Sequence, residues 1–395
     1  MGAERREKNE DGMALILAVI VVALLAVMIM EFNFRTRVSA SLGQNALESL
    51  QAENVSRSGV ALFLGELRRD LEADIERDPE KLTDWVGEEW MEGMVDIEVG
   101  EEGLVSVEIS DEDGKLNLNL LQLPPSGGAS QGIQTFQGLL ESLDVVTEDE
   151  IEPQALTAAL VDWIDNDDEP AMESADPDTE TYYYQDLEVP YRCKNGPLDT
   201  IRELLLVKGF TRRIVYGDDD TPGLNKYVTV HGARDGAMNI NTMEEELIEA
   251  WFNQMGEAAA GMLYGVGEEI AVQRDSNPFT DMDDLKQRVA RVAHAFQQSQ
   301  QVVPQQGAGD SAQQQQQQQQ QEQADKPFKF SSECFAARIL GVYRGSPVKI
   351  NTTVERKQKE DEEADEGGIS LSTGRSNAPE DTNIQFRTLA WRISR

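Results

Sequence analysis

The chain has 395 residues, 39% of them hydrophobic, and carries 73 Asp and Glu against 35 Lys and Arg, for a formal net charge of -38. That length suits about two domains of ordinary size. The charge disfavours nucleic acid as a partner, because phosphate backbones are held by Lys and Arg. Such acidity suits either a plainly solvated surface or a hard divalent cation such as calcium. Two cysteines and two histidines, with no C-x-x-C and no Cys/His cluster at metal spacing, give no support for a zinc site.

From the N-terminus, Met13 to Met30 contains no charged or strongly polar residue. As a helix it measures about 27 Å, close to the hydrocarbon thickness of a bilayer. Arg5, Arg6 and Lys8 precede it and favour a cytoplasmic N-terminus, although Glu4, Glu7, Glu10 and Asp11 are mixed among them. Val38-Ser39-Ala40 resembles a signal-peptidase site, but Glu31, Arg35 and Arg37 intervene, so retention of the segment is expected. Leu42, Ala46, Leu50, Val55, Val60, Leu64 and Leu67 continue the helical period, which predicts one helix over 13–70, half in lipid and half in water.

Residues 71–123 read as the first part of a sheet. "MVDIEVG" and "LVSVEIS" alternate around Glu101-Glu102-Gly103 as a hairpin, and "DEDGKLNLNLL" adds an Asp-Gly turn and further alternation. Residues 124–304 read as a helical insertion, with helices expected at 136–143, 153–164, 197–207, 243–255, 262–273 and 282–297. Asp281 is expected to cap the last of these, and Thr242 with Glu245 forms a capping-box pattern. "LLLVKGF" and "MNINTMEEELIEAW" each resemble half of a helix-hairpin-helix or sterile-alpha-motif-like fold, here expected to serve packing and not DNA binding. The Gln-rich stretch 305–327 lacks the apolar groups that offset ordering entropy and reads as a disordered link. Residues 328–395 return to strands through "ECFAARILGVYR", "VKINTTVERKQ" and "IQFRTLAWRI", with a polar excursion before the last. The fold class is therefore α+β.

Candidate chemistry concentrates in "DWIDNDDEP", where Asp165, Asp167, Asp168 and Glu169 offer several oxygen ligands within one turn. Calcium takes six to eight such oxygens. The stretch lacks the EF-hand glycine and terminal glutamate, and a solvated acidic turn after a helix is the plain alternative. Cys193 and Cys334 are either two thiols or one disulfide closing a long loop, worth at most roughly 4 to 5 kcal/mol. No P-loop, nucleophile elbow or Ser/His/Asp order is present, so the chain is expected not to be an enzyme.

Gly12 directly before the apolar run resembles a type IV pilin-like signal. The ordered set "GKLNLNLL", "LVDWIDNDDEP", "YYYQDLEVPYRCKNGPLDTIRELLLVKGF", "MNINT" and "LAWRI" resembles the K-type minor pseudopilins of type II secretion systems, over nearly the whole chain. The resemblance implies a pilin-like N-terminal helix on an antiparallel sheet with the helical domain inserted in it. It implies cleavage after Gly12 by a prepilin peptidase, methylation of Met13, and residence in the inner membrane with the body in the periplasm. It also implies assembly with I- and J-type minor pseudopilins and the major pseudopilin, and calcium in the inserted domain. The fifth residue after the cut is Leu17 where most such proteins have glutamate, which accords with a subunit lacking a neighbour to pair with. The competing expectation is a bitopic membrane-anchored calcium-binding adaptor outside any filament.

Overall fold

The computed structural model describes residues 3–79, 81–121, 130–143, 152–166, 181–219, 221–232, 234–255, 263–301, 328–358 and 384–394. Helix α1 runs unbroken over Ala3–Arg77, 75 residues, longer at both ends than the expected span. It contains no proline and stops just before Asp78-Pro79, where the proline ring disfavours helical backbone in the residue preceding it. Its two halves live differently. From Met13 to Leu50 its large apolar side chains are exposed. From Ala52 onward a stripe at helical spacing is buried, comprising Ala52, Val55, Ser56, Val60, Phe63, Leu67 and Leu71.

That stripe lies on a five-stranded antiparallel sheet in the order β1 (Met94–Val99), β2 (Gly103–Asp111), β7 (Cys334–Tyr343), β8 (Ser346–Gln358), β9 (Ile384–Ser394). The alternation expected of β2 is realised: Val105, Val107 and Ile109 point inward beside Ile339 and Ala337 of β7. A short helix α2 (Glu89–Glu92) closes one end, with Trp90 edge-on to Phe335 at 5.3 Å. The β7–β8 hairpin turns on two residues, Arg344 and Gly345, both at positive φ, as the right-handed strand twist prefers.

Helix and sheet touch through two glycines. A methyl group at Gly341 of β7 would come within 2.5 Å of the Ser56 backbone nitrogen and 2.9 Å of the Ala52 carbonyl oxygen. One at Gly59 would meet Ile339 and Val105 at 2.6 Å. The Ser56 hydroxyl also reaches the Val348 carbonyl at 2.9 Å, tying α1 to β8.

Everything between β2 and β7 is the insertion, and its own core is the larger of the two. The chain leaves the sheet earlier than residue 124. Residues 116–120 do not extend the sheet: Leu116–Asn117 (β3) pair in parallel with Val228–Thr229 (β4), and Leu118–Leu120 form a 3₁₀ turn. The reason is packing, since Leu116, Leu118 and Leu121 are buried in the insertion core with Phe136, Trp251 and Phe328. The return is clasped likewise, Met238–Asn239 (β5) pairing in parallel with Phe328–Lys329 (β6).

Helices α3 (Gln131–Ser142), α4 (Pro153–Ile164), α5 (Thr181–Gln185), α6 (Arg212–Tyr216), α7 (Glu245–Phe252), α8 (Val266–Ser276), α9 (Met282–Arg288) and α10 (Ala290–Gln301) build the insertion among the described residues. The α4 span matches its expectation. The 197–207 segment instead forms a 3₁₀ helix over Ile201–Leu206, and the last expected helix is broken at Val289. Asp281 caps α9 by accepting the Asp284 amide, as its sequence predicts. Thr242 does not cap α7, whose first turn follows Glu244, because its hydroxyl is engaged elsewhere. Cys193 and Cys334 form no disulfide: Cys193 packs on the insertion core with its sulfur 3.5 Å from the Asp162 carbonyl, while Cys334 opens β7. The Gln-rich stretch and the excursion before β9 lie outside the described residues.

Substituting Gly341→Ala is expected to cost about 1–3 kcal/mol, because the added methyl meets helix backbone that cannot rotate away. Gly65→Ala, on the same helix with open space around it, should instead gain roughly 0.5–1 kcal/mol. Urea unfolding of both variants in detergent checks the contrast. Equal effects would sink the account of close helix–sheet contact.

Candidate functional site

Where the insertion joins the sheet, β2, β8, the loop after α1 and the insertion converge on a buried polar network. Arg356 sits at an inward position of β8 and is 5% exposed. It donates to both carboxylate oxygens of Asp84 at 2.7 and 2.8 Å, to Asp70 at 3.2 Å, and to the carbonyls of Ser332 and Leu67. Its guanidinium lies 4.7 Å from the Phe335 ring. Burial alone would lower its pKa, but Asp84 and Asp70 more than offset that and keep it a cation. Asp84 in turn accepts the Ser332 amide at 2.7 Å.

Asp111, the last residue of β2, accepts from Ser332 Oγ at 2.6 Å, Thr242 Oγ1 at 2.5 Å and Asn239 Nδ2 at 3.3 Å. Asn239 also donates to the Asp84 carbonyl and to Ser332 Oγ. Asp113 accepts the amides of Glu333 and Cys334 and pairs with Lys329. "MNINT" thus sits where it does because Asn239 and Thr242 bond across to the sheet, while Asn241 clamps Phe279 within the insertion. Asn119 of "KLNLNLL" does similar work, donating to the Leu198 and Val230 carbonyls and accepting the Leu198 amide.

Beside Arg356 the negative charges outnumber the positive. Carboxylate oxygens of Asp70, Asp84 and Glu88 lie within 4.8 Å of one another, and this is the one such metal-like grouping among the described residues. Asp84 and Asp70 already share the Arg356 cation, whereas Glu88 accepts from Trp90 Nε1 at 2.5 Å and the Trp85 amide at 3.3 Å. Burial, reinforced by Asp70 and Asp84, pushes the Glu88 carboxyl up to about 9. Burial and Asp84 push Asp70 up to about 7. One guanidinium thus faces three carboxyl groups, and burial favours the protonated form of Glu88 and Asp70.

The expected site residues are not gathered at this joint. Gly12, Met13 and Leu17 lie on the first half of α1, with Met13 and Leu17 exposed. Asp165 caps the C-terminus of α4, its amide bonded to the Val161 carbonyl, while Asp167, Asp168 and Glu169 lie outside the described residues. Within the "YYYQ" run, Tyr184 is fully buried edge-on to Trp163 at 5.2 Å. The joint itself was not anticipated. Its readable signal is an arginine on the apolar face of an alternating strand, Ile350, Thr352, Val354, Arg356, since inward arginines are rare unless paired.

Residues 114–230 match the family model described as "Type II secretion system (T2SS), protein K". The chain is 27% identical over 286 residues to a type II secretion system protein K of Pseudomonas aeruginosa, covering 72% of this chain and 78% of that one. It is 23% identical over 315 residues to the protein of that name from Dickeya chrysanthemi, covering 70% and 81%. Its fold is similar to a chain in the crystal structure of the GspK-GspI-GspJ complex of the enterotoxigenic Escherichia coli type 2 secretion system. That likeness has a TM-score of 0.52 and 19% identity, and covers 82% of this chain and 94% of that one.

Because the Glu88 and Asp70 carboxyls hold their protons longer folded than unfolded, they subtract stability as pH rises from the ordinary carboxylate range, near 4, towards about 9 and about 7 respectively. Glu88→Gln keeps a neutral acceptor for Trp90 and removes that titration. The melting temperature of the wild type should therefore fall more steeply between pH 6 and 9 than that of the variant. Parallel curves would show that Glu88 is ionised throughout.

Proposed function

Because the chain resembles the type II secretion K proteins over most of its length and matches their family model at residues 114–230, we propose that it is a minor pseudopilin, acting by assembly and not by catalysis. The observation that supports this best is the division of α1. Its first half exposes apolar residues on every side and is long and apolar enough to cross a membrane. Its second half is fixed on a sheet. A helix of this kind exchanges lipid contact for contact with neighbouring helices when it leaves the bilayer, at little cost, because both environments are apolar.

In this reading a prepilin peptidase cuts after Gly12, Met13 is methylated, and the body stands in the periplasm with α1 anchored in the inner membrane. The sheet end that carries the insertion is tied to α1 at Leu67 and Asp70 through Arg356 of β8, about 55 Å along the helix from Met30. Bulk at the end far from the bilayer suits a subunit at the filament tip, where it would cap or initiate assembly. The E. coli complex in which GspK is joined to GspI and GspJ supports I- and J-type pseudopilins as the companions; in this reading the major pseudopilin lies below them. Leu17 offers no carboxylate to a neighbour's amino group, as befits a terminal position.

The oxygen-only donor set of Asp165, Asp167, Asp168 and Glu169 fits a hard cation, and calcium there would brace the loop after α4 against the insertion core. Two outcomes test the proposal. Mass analysis should find a mature chain beginning at methylated Met13, and Gly12→Leu should leave the precursor uncut. An intact Met1 on the mature chain would overturn the processing step. Calcium at a hundredfold excess over its Kd should stabilise the chain by about 2.7 kcal/mol, seen as a higher melting temperature that chelator reverses. Replacing Asp165, Asp167, Asp168 and Glu169 together with their amides should abolish that rise.

A further inference from the structure

Strand β9 ends the sheet, so one edge of its backbone has no strand partner among the described residues. Around that open edge stand features unusual in a chain where acids outnumber bases two to one. Trp391 is 40% exposed on the inward face, with Phe386 and Ile393 half-buried beside it. Arg57 and Arg68 of α1 lie over the Trp391 and Phe386 rings at 5.8 and 5.9 Å. On the opposite face Arg387 and Arg392 are exposed. Arg68, Arg387 and Arg392 form no ion pair with any described residue, while most other arginines have one.

We infer that the open edge of β9 docks an acidic extended segment of a companion subunit, added as a sixth strand; this rests on the assembly reading above. Backbone groups of β9 would supply the ladder. Acidic side chains on one face of the added strand would meet Arg387 and Arg392, and on the other would meet Arg68, with an apolar residue against Trp391. Two other occupants fit less well. A lipid surface is out of reach, because Arg57 stands about 40 Å along the helix beyond Met30. In a symmetric antiparallel pairing of two copies, Arg387 and Arg392 of both would crowd onto one face of the seam, and two chains of charge -38 repel.

The test uses the full chain in detergent with purified I- and J-type pseudopilins of the same secretion system. Hydrogen exchange of β9 should slow on addition of one companion, and binding by Arg387→Glu/Arg392→Glu should weaken at least tenfold. Salt should weaken the wild-type complex more than the variant's. Binding of a companion with β9 exchange unchanged, or with full affinity in the double variant, overturns the docking edge and leaves the assembly reading intact. No binding of either companion by the wild type overturns both. If β9 is already protected in the isolated chain and loses that protection when Glu360, Asp361, Glu362 and Glu363 are neutralised, the chain's own acidic stretch occupies the edge and the inference fails.

Discussion

The pair on which the rest of the described structure leans is Arg356 with Asp84. One buried guanidinium reaches the carbonyl of Leu67 near the end of α1, the loop that follows it, and the strand entering β7. An arginine fork can meet a carboxylate bidentately and still spare donors for carbonyls, which a lysine cannot. Removing either partner would strand a buried charge, a loss of about 3–5 kcal/mol where such pairs have been broken. The pair therefore fixes where the loop after α1 and the entry to β7 sit relative to the helix, more than it adds net stability.

A second constraint is the contrast along α1. Its sheet-bound half carries small residues where the sheet passes closest, Ala52 and Ser56 against the Gly341 backbone and Gly59 against the Ile339 and Val105 side chains. The apolar window of its free half is not buried against the body. A helix so divided can be held firmly by its own domain while offering an unbroken apolar cylinder to lipid or to other helices.

Much of this was legible in the sequence, for reasons tied to particular residues. The apolar run, the alternation of Val105, Val107 and Ile109, and the cap at Asp281 are local signals that local structure obeys. The places where local reading fails are those where distant contacts decide. Thr242 has a capping pattern, yet its hydroxyl serves Asp111 from 131 positions away. Leu116 and Leu118 alternate like strand residues, yet are recruited by the insertion core. The acid cluster joins Asp70, Asp84 and Glu88 with Arg356, whose separation in the chain no motif spans.

The last strand residue before the insertion, Asp111, lies directly opposite Phe335, one residue into the strand after it. From the sheet's side, roughly 220 residues behave as a loop joining adjacent antiparallel strands, and the entropy of closing a loop grows only logarithmically with its length. A sheet of this kind can thus carry so large a head without rerouting a strand, and a short tight connection in its place would leave the ladder whole. Such a replacement would spare the strand pairing but remove the bonds from Asn239 to the Asp84 carbonyl and from Thr242 to Asp111, so the stalk would keep its ladder and lose that brace.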